Sequence, residues 1–189
     1  MKRMKFIVVV FCFLLLCGCS TGNNKSENDG AASDLPIDTS EAEAKEDLTG
    51  YIISLSVDNN IRMLVTGSHA NNDGVSATVY TLDEKTTVKG TSEDPLAASD
   101  LLVGMKVTVF NSGIVAESFP AQSGAIKVVV DSTQDELERN AIEKALKQVE
   151  AGFPWHVEAI EESGFSQYTV TLKNLLDNRV PVKVVEVRL

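Results

Sequence analysis

Few residues in this 189-residue chain are of types that do chemistry, and their spacing limits what they can do. Cys17 and Cys19 stand one glycine apart, and the third cysteine, Cys12, lies upstream of both. A metal site there would need His or carboxylate partners that the neighbourhood lacks. The two histidines are His69 and His156. His69 lies in S-H-A-N-N-D-G, which offers oxygens at Asn71 and Asp73. Taking Gly74 as the invariant sixth position of a calcium loop makes His69 first and Tyr80 twelfth, where acidic ligands are required. A solvated hairpin loop is the expectation instead. Glu117 and Ser118 are adjacent, and adjacent residues of a strand point to opposite faces, so they do not act on one atom. Asp131, Asp135 and Glu136 are explained by capping and the helix macrodipole. The most site-like cluster is Trp155-His156 after Phe153-Pro154, because tryptophan offers a broad face for stacking on a sugar or peptide. Against that, a tryptophan at the start of a strand that follows a helix commonly packs on the helix. The chain has no Gly-rich phosphate loop, no G-x-S-x-G elbow and no metal-binding His pair. No enzyme, cofactor or metal is expected, and Trp155 and His156 are the candidate contacts.

The cysteine pair takes its meaning from what precedes it. Lys2, Arg3 and Lys5 give a positive start, and Phe6 to Cys17 is an unbroken apolar run of twelve residues. As a helix it would cover roughly 18 Å, short of the ~30 Å hydrocarbon core. Positive start, short apolar run and small residues are the layout of a secretory signal peptide. Leu16-Cys17-Gly18-Cys19 resembles a lipobox, the bacterial pattern of an apolar residue, two small residues and a cysteine. The resemblance implies cleavage after residue 18 and lipidation of Cys19, with residues 1–18 as the signal peptide. Diacylglycerol and palmitate-type chains would then hold the protein at the extracytoplasmic face of the cell membrane. The rival is a signal cleaved nearby without lipidation.

Residues 1–18 carry three of the 17 Lys+Arg and none of the 27 Asp+Glu, so the remainder has a formal charge of −13. That is the wrong sign for nucleic acid or for an anionic membrane surface, both of which are held by clustered Lys and Arg. Residues 20–47 hold eight acidic and two basic residues, no aromatic, and many Ser, Asn, Gly and Ala. Such a stretch buries too little apolar surface to offset its ordering entropy, so residues 19–47 are expected to be the lipidated cysteine and a flexible acidic tether. The folded part would stand off the bilayer.

From Gly50 the pattern changes to short apolar runs with turn signals between them. Tyr51–Val57, a turn at Asp58-Asn59-Asn60, and Ile61–Thr66 read as a hairpin; Ser68–Gly74 reads as a loop; residues 75–82 alternate as a strand. Thr86–Val88 extends the sheet, and Asp94-Pro95 predicts a short helix over 95–102 closed by Gly104. Residues 105–110, 114–119 and 126–130 complete a β-rich unit over 48–131. Short strands with one small helix point to a small β-barrel like the oligonucleotide/oligosaccharide-binding barrels.

Four motifs sharpen that reading: Gly50-Tyr51-Ile52-Ile53, Met63-Leu64-Val65-Thr66-Gly67, Gly104-Met105-Lys106-Val107-Thr108-Val109, and the most specific, Gly113-Ile114-Val115-Ala116-Glu117-Ser118-Phe119-Pro120-Ala121-Gln122. Together they resemble the YobA-like domain of uncharacterised Gram-positive lipoproteins, over residues 48–131. The resemblance implies an extracellular lipoprotein and a small β-barrel, and brings no known activity or catalytic residue.

Residues 132–189 form a second pattern. Thr133-Gln134-Asp135-Glu136 has the form of a capping box. Leu137, Ala141, Ile142, Ala145, Leu146 and Val149 mark one face of a helix over 134–151, with Gly152 placed to end it. Residues 155–161, 167–174 and 180–187 read as a three-stranded antiparallel sheet. The fold class is therefore α+β, an OB-like barrel followed by a helix on three strands. The function expected is a lipid-anchored, non-catalytic binding or accessory module of the cell envelope, contacting the membrane through Cys19 and an envelope protein. The alternative is a small-ligand or sugar-recognition lipoprotein using an aromatic platform that includes Trp155.

Overall fold

The computed structural model describes residues 43–70 and 72–189. The signal peptide, Cys19 and most of the tether expected above lie outside the described residues.

Three long strands open the fold as a meander: β1 (Lys45–Val57), β2 (Ile61–His69) and β3 (Asn72–Leu82), each antiparallel to the next. β1 thus begins inside the stretch assigned to the tether. The loop expected over 68–74 is mostly strand, because Ser68 pairs with Val75 and His69 with Asn72 in the ladder. Backbone pairing holds this end whatever the polarity of its side chains.

The next strands are β4 (Thr87–Gly90), β5 (Pro95–Leu96), β6 (Lys106–Asn111), β7 (Val115–Ala116), β8 (Ala121–Gly124) and β9 (Lys127–Val130). The helix expected over 95–102 does not form. Pro95 and Leu96 pair with Lys89 and Val88 instead, which places Leu96 against the core, and only Ala98–Asp100 turns as a 3-10 helix. Gly104 sits in the turn before β6 with φ +86°, where a Cβ would come within 2.5 Å of Arg139 O. The strand expected over 114–119 shrinks to β7.

Ladders link the nine strands in the order β5-β4-β9-β6-β1-β2-β3-β8-β7, with β4–β9 and β3–β8 parallel. That order is linear, not closed. Only Ala125 and Ile126 separate β8 from β9; Ala125 N–H donates to Thr81 O (3.0 Å) and Ile126 N–H to Phe110 O (2.9 Å).

A second sheet follows the single described α-helix. α1 (Glu136–Leu146) precedes β10 (Trp155–Gly164), β11 (Gln167–Asn174) and β12 (Lys183–Arg188), which are antiparallel in that order. The helix is shorter than the expected 134–151. Its N-cap is Asp135, whose carboxylate accepts the Leu137 N–H at 2.6 Å. The Thr133 hydroxyl is not the cap because it donates to Asp131 (2.6 Å). Ala141, Ile142 and Ala145 are fully buried against Val157, Val170 and Leu172, whereas Leu137, expected on the same face, is 42% exposed.

β1 is apolar on both faces, which is why Tyr51-Ile52-Ile53 reads as a continuous run. Ile52 lies in the core packed on the nine-stranded sheet, with Leu48, Met63, Val65 and Tyr80. Ile53 lies in the core of α1 and β10–β12. Strand alternation sends these neighbours to opposite faces, and the bulge between Ile52 and Ser54, where the β1–β2 register shifts, returns Leu55 instead of Ser54 to the first core. Polar bonds stitch the same seam. Thr66 Oγ1 donates to Trp155 O (3.0 Å), and Gln134 accepts from Lys106 N–H and donates to Gly104 O, both at 2.9 Å. All described residues belong to one compact unit.

Gly50 and Gly67 face each other in the β1–β2 ladder. A Cβ on Gly50 would meet Thr66 O at 2.0 Å, and one on Gly67 would meet Thr49 O at 2.0 Å. The two backbones pass closer here than any side chain allows.

Candidate functional site

A buried grouping of polar side chains lies at the end of the nine-stranded sheet where β1 begins. The ladders bring Lys45 opposite Asn111 and Leu48 opposite His69, so the start of β1 and the ends of β2 and β6 share this edge. The β1–β6 register shifts between Glu46 and Leu48, and the unpaired residue is Asp47. Freed from regular pairing, its carboxylate is turned toward its neighbours. It accepts from Tyr80 Oη (2.6 Å) and from Asn111 Nδ2 (2.7 Å). His69 Nδ1 lies 2.8 Å from Asp47 O and 3.2 Å from Asp47 Oδ1, so the backbone oxygen is its nearer partner.

Tyr80 and Asn111 are almost completely buried. Burial pushes the Tyr80 phenol far above its usual range; the hydrogen bond to Asp47 and the charge of that carboxylate raise it further, and Thr78 opposes them. The phenol therefore stays a donor at all ordinary pH values. One carboxylate satisfied by an amide and a phenol, with an imidazole at its edge, ties four strands together. Among the described residues no group of three or more His, Cys, Asp or Glu could hold a metal ion.

The sequence-derived contacts fall elsewhere, and Cys19 lies outside the described residues. Trp155 is 4% exposed, packed in the core beneath α1, with Nε1 donating to Glu150 O at 2.9 Å. It borders a cleft of about 440 Å³ shared with Val149, Phe153 and Val180 without presenting an open ring face. His156, the next residue of β10, is half-buried, with Nδ1 shielded from solvent and unpartnered. Burial pushes its pKa down, the charge of Glu158 raises it, and that of Lys173 lowers it. Alternation along the strand turns Trp155 and His156 to opposite faces, so they do not make one site.

Sequence reasoning missed Asp47 because its neighbourhood reads as tether. Asn111 and Tyr80 carried no periodic signal beyond that of their strands. Compared with protein-family models, with curated proteins and with solved structures, the chain matches none.

Proposed function

We propose that this protein is a lipid-anchored, extracytoplasmic, non-catalytic module of the cell envelope, acting through contacts of its folded unit with a neighbouring envelope component. The single observation that carries this reading is Leu16-Cys17-Gly18-Cys19 after a charged start and an apolar run too short to span a bilayer. The fully satisfied Asp47 cluster supports a structural role for this buried polar grouping. Burial of Trp155 leaves the sugar-platform alternative without the open aromatic face it needs.

The same reading includes an OB-like barrel, with residues 121–130 acting as one bent strand. What supports it is that this segment bonds to β3 through β8 and Ala125, and to β6 through Ile126 and β9. Such a strand would join the two halves of the linear order into a ring of β1, β2, β3, 121–130 and β6.

Mass spectrometry of the membrane-extracted protein tests the anchor. The expected result is a mature chain that starts at Cys19 with the sulfur modified. Cys19→Ala should leave an uncleaved precursor or release soluble protein, whereas Cys17→Ala should change little, since alanine is also small. A wild-type chain starting elsewhere, or a Cys19→Ala protein processed and retained like wild type, overturns the reading.

A further inference from the structure

Residues 113–119, Gly-Ile-Val-Ala-Glu-Ser-Phe, are all exposed. Ile114 is 78% exposed, Phe119 47% and Val115 40%, and Glu117 is the single charged residue among them. This finger projects from the fold instead of completing its core. Its backbone is nevertheless organised. Val115 and Ala116 pair with Ser123 and Gln122, Ser118 N–H donates to Ala116 O (2.9 Å), and Ser123 Oγ donates to Ile114 O (2.8 Å). An apolar loop that satisfies part of its own backbone enters a nonpolar boundary at lower cost than an unstructured one.

Its position names the occupant. The finger follows Asn111, which pairs with Lys45 at the start of β1. A Cβ on Gly113 would lie 3.7 Å from Lys45 Cδ and 3.9 Å from Lys45 Nζ, so that ammonium sits beside the base of the finger. The chain from Cys19 therefore comes into the fold at the finger's own end. On the tether reading, residues 20–44 would span roughly 25–30 Å, which would hold this end within a short distance of whatever carries Cys19. Val57, 74% exposed, lies at the far end of the 13-residue β1, roughly 40 Å away.

We propose that residues 113–119 dock on the phospholipid bilayer that holds the anchor, with Ile114, Val115 and Phe119 entering the headgroup–acyl boundary and Lys45 reaching a lipid phosphate. This rests on the lipid-anchor reading and deepens it, giving the folded unit a fixed orientation on the membrane. Amphipathic side chains such as lysine suit this boundary. The tether supplies a local concentration high enough for a contact that would be weak between free molecules.

The test uses the lipidated full chain in vesicles of zwitterionic phosphatidylcholine, with and without brominated acyl chains. Phe119→Trp and Val57→Trp place reporters at the two ends, and the buried Trp155 contributes the same background to both. Brominated lipid should quench Phe119→Trp strongly and Val57→Trp barely. Adding Ile114→Ser to Phe119→Trp should reduce that quenching, and as an exposed substitution it should not disturb the fold. Equal quenching at the two ends, or none at Phe119→Trp, overturns the proposal and leaves the anchor reading standing. In the Cys19→Ser chain, about 100-fold more lipid should be needed for the same quenching. If Cys19→Ser needs no more lipid than its parent, the anchor fails and the docking finger survives.

Discussion

The two apolar cores of this protein differ in what closes them. The core containing Leu48, Met63 and Tyr80 is built from strands of the nine-stranded sheet and the turns between them. The second draws on α1, on the three-stranded sheet and on Ile53 of β1, with Tyr51 and Leu64 packed against it. The first can be completed by its own sheet. The second is incomplete without Ile53, a residue borrowed from β1, so the C-terminal layer depends on β1 more than the β1 sheet depends on it.

The largest expected effect tests that asymmetry. Ile142→Ala empties a fully buried position in the second core and should cost about 2–5 kcal/mol in urea denaturation. Hydrogen exchange should show β10–β12 opening before β1–β3, since local openings follow the less self-sufficient unit. Uniform acceleration through both sheets would mean that the cores fold as equals.

A smaller loss is expected in the first core. Tyr80→Phe removes one donor from Asp47 and should cost about 1–3 kcal/mol at neutral pH, measured the same way. The pH dependence has a definite sign. The folded state holds the phenols of Tyr80 and Tyr51 protonated, Tyr51 being pushed up to about 12 by burial first and then by Glu138. An unfolded tyrosine ionises near 10, so each contribution is complete below that pH and is lost as pH rises above it. Between pH 10 and 12 the wild type should lose stability more steeply than Tyr80→Phe, with Tyr51 and Tyr168, whose phenol burial also pushes up, responsible for the remaining slope. Parallel urea midpoints in that window would remove the Asp47 cluster from the account.

The smallest effect belongs to the exposed edge of α1. Leu137→Ala should change stability by less than about 0.5 kcal/mol, because that side chain is 42% exposed. A loss comparable to that of Ile142→Ala would show that another surface covers this turn.

Regular alternation and helical spacing made parts of this fold legible. Residues 167–174 form β11 with the bounds expected, and Ala141, Ile142 and Ala145 face the core as their spacing predicts. The failures lie where a nonlocal partner outweighs a local signal. Asp94-Pro95 is a fair helix start, but Val88 captures Leu96 in a ladder. Thr133 is a fair cap, but Asp131 takes its hydroxyl and Asp135 caps instead. Of the candidate site, the expected packing of Trp155 on the helix could be weighed from its place in the chain. The Asp47 cluster could not, because Asp47, His69, Tyr80 and Asn111 come together only through strand pairing and a bulge.

The facing glycines of β1 and β2 impose a rule of inheritance. Each position is blocked by the opposite strand's backbone, at 2.0 Å from Thr66 O on one side and from Thr49 O on the other. Leaving one glycine in place therefore gives no relief to a substitution at the other, and no compensating side-chain change nearby moves a main-chain oxygen. Mutational drift can wander through the hairpin tips, yet it finds no single step out of this pair. Any descendant that keeps the β1–β2 register keeps both glycines, spaced as they are here from Ile52 and Val65, the ladder partners two residues further along the pair.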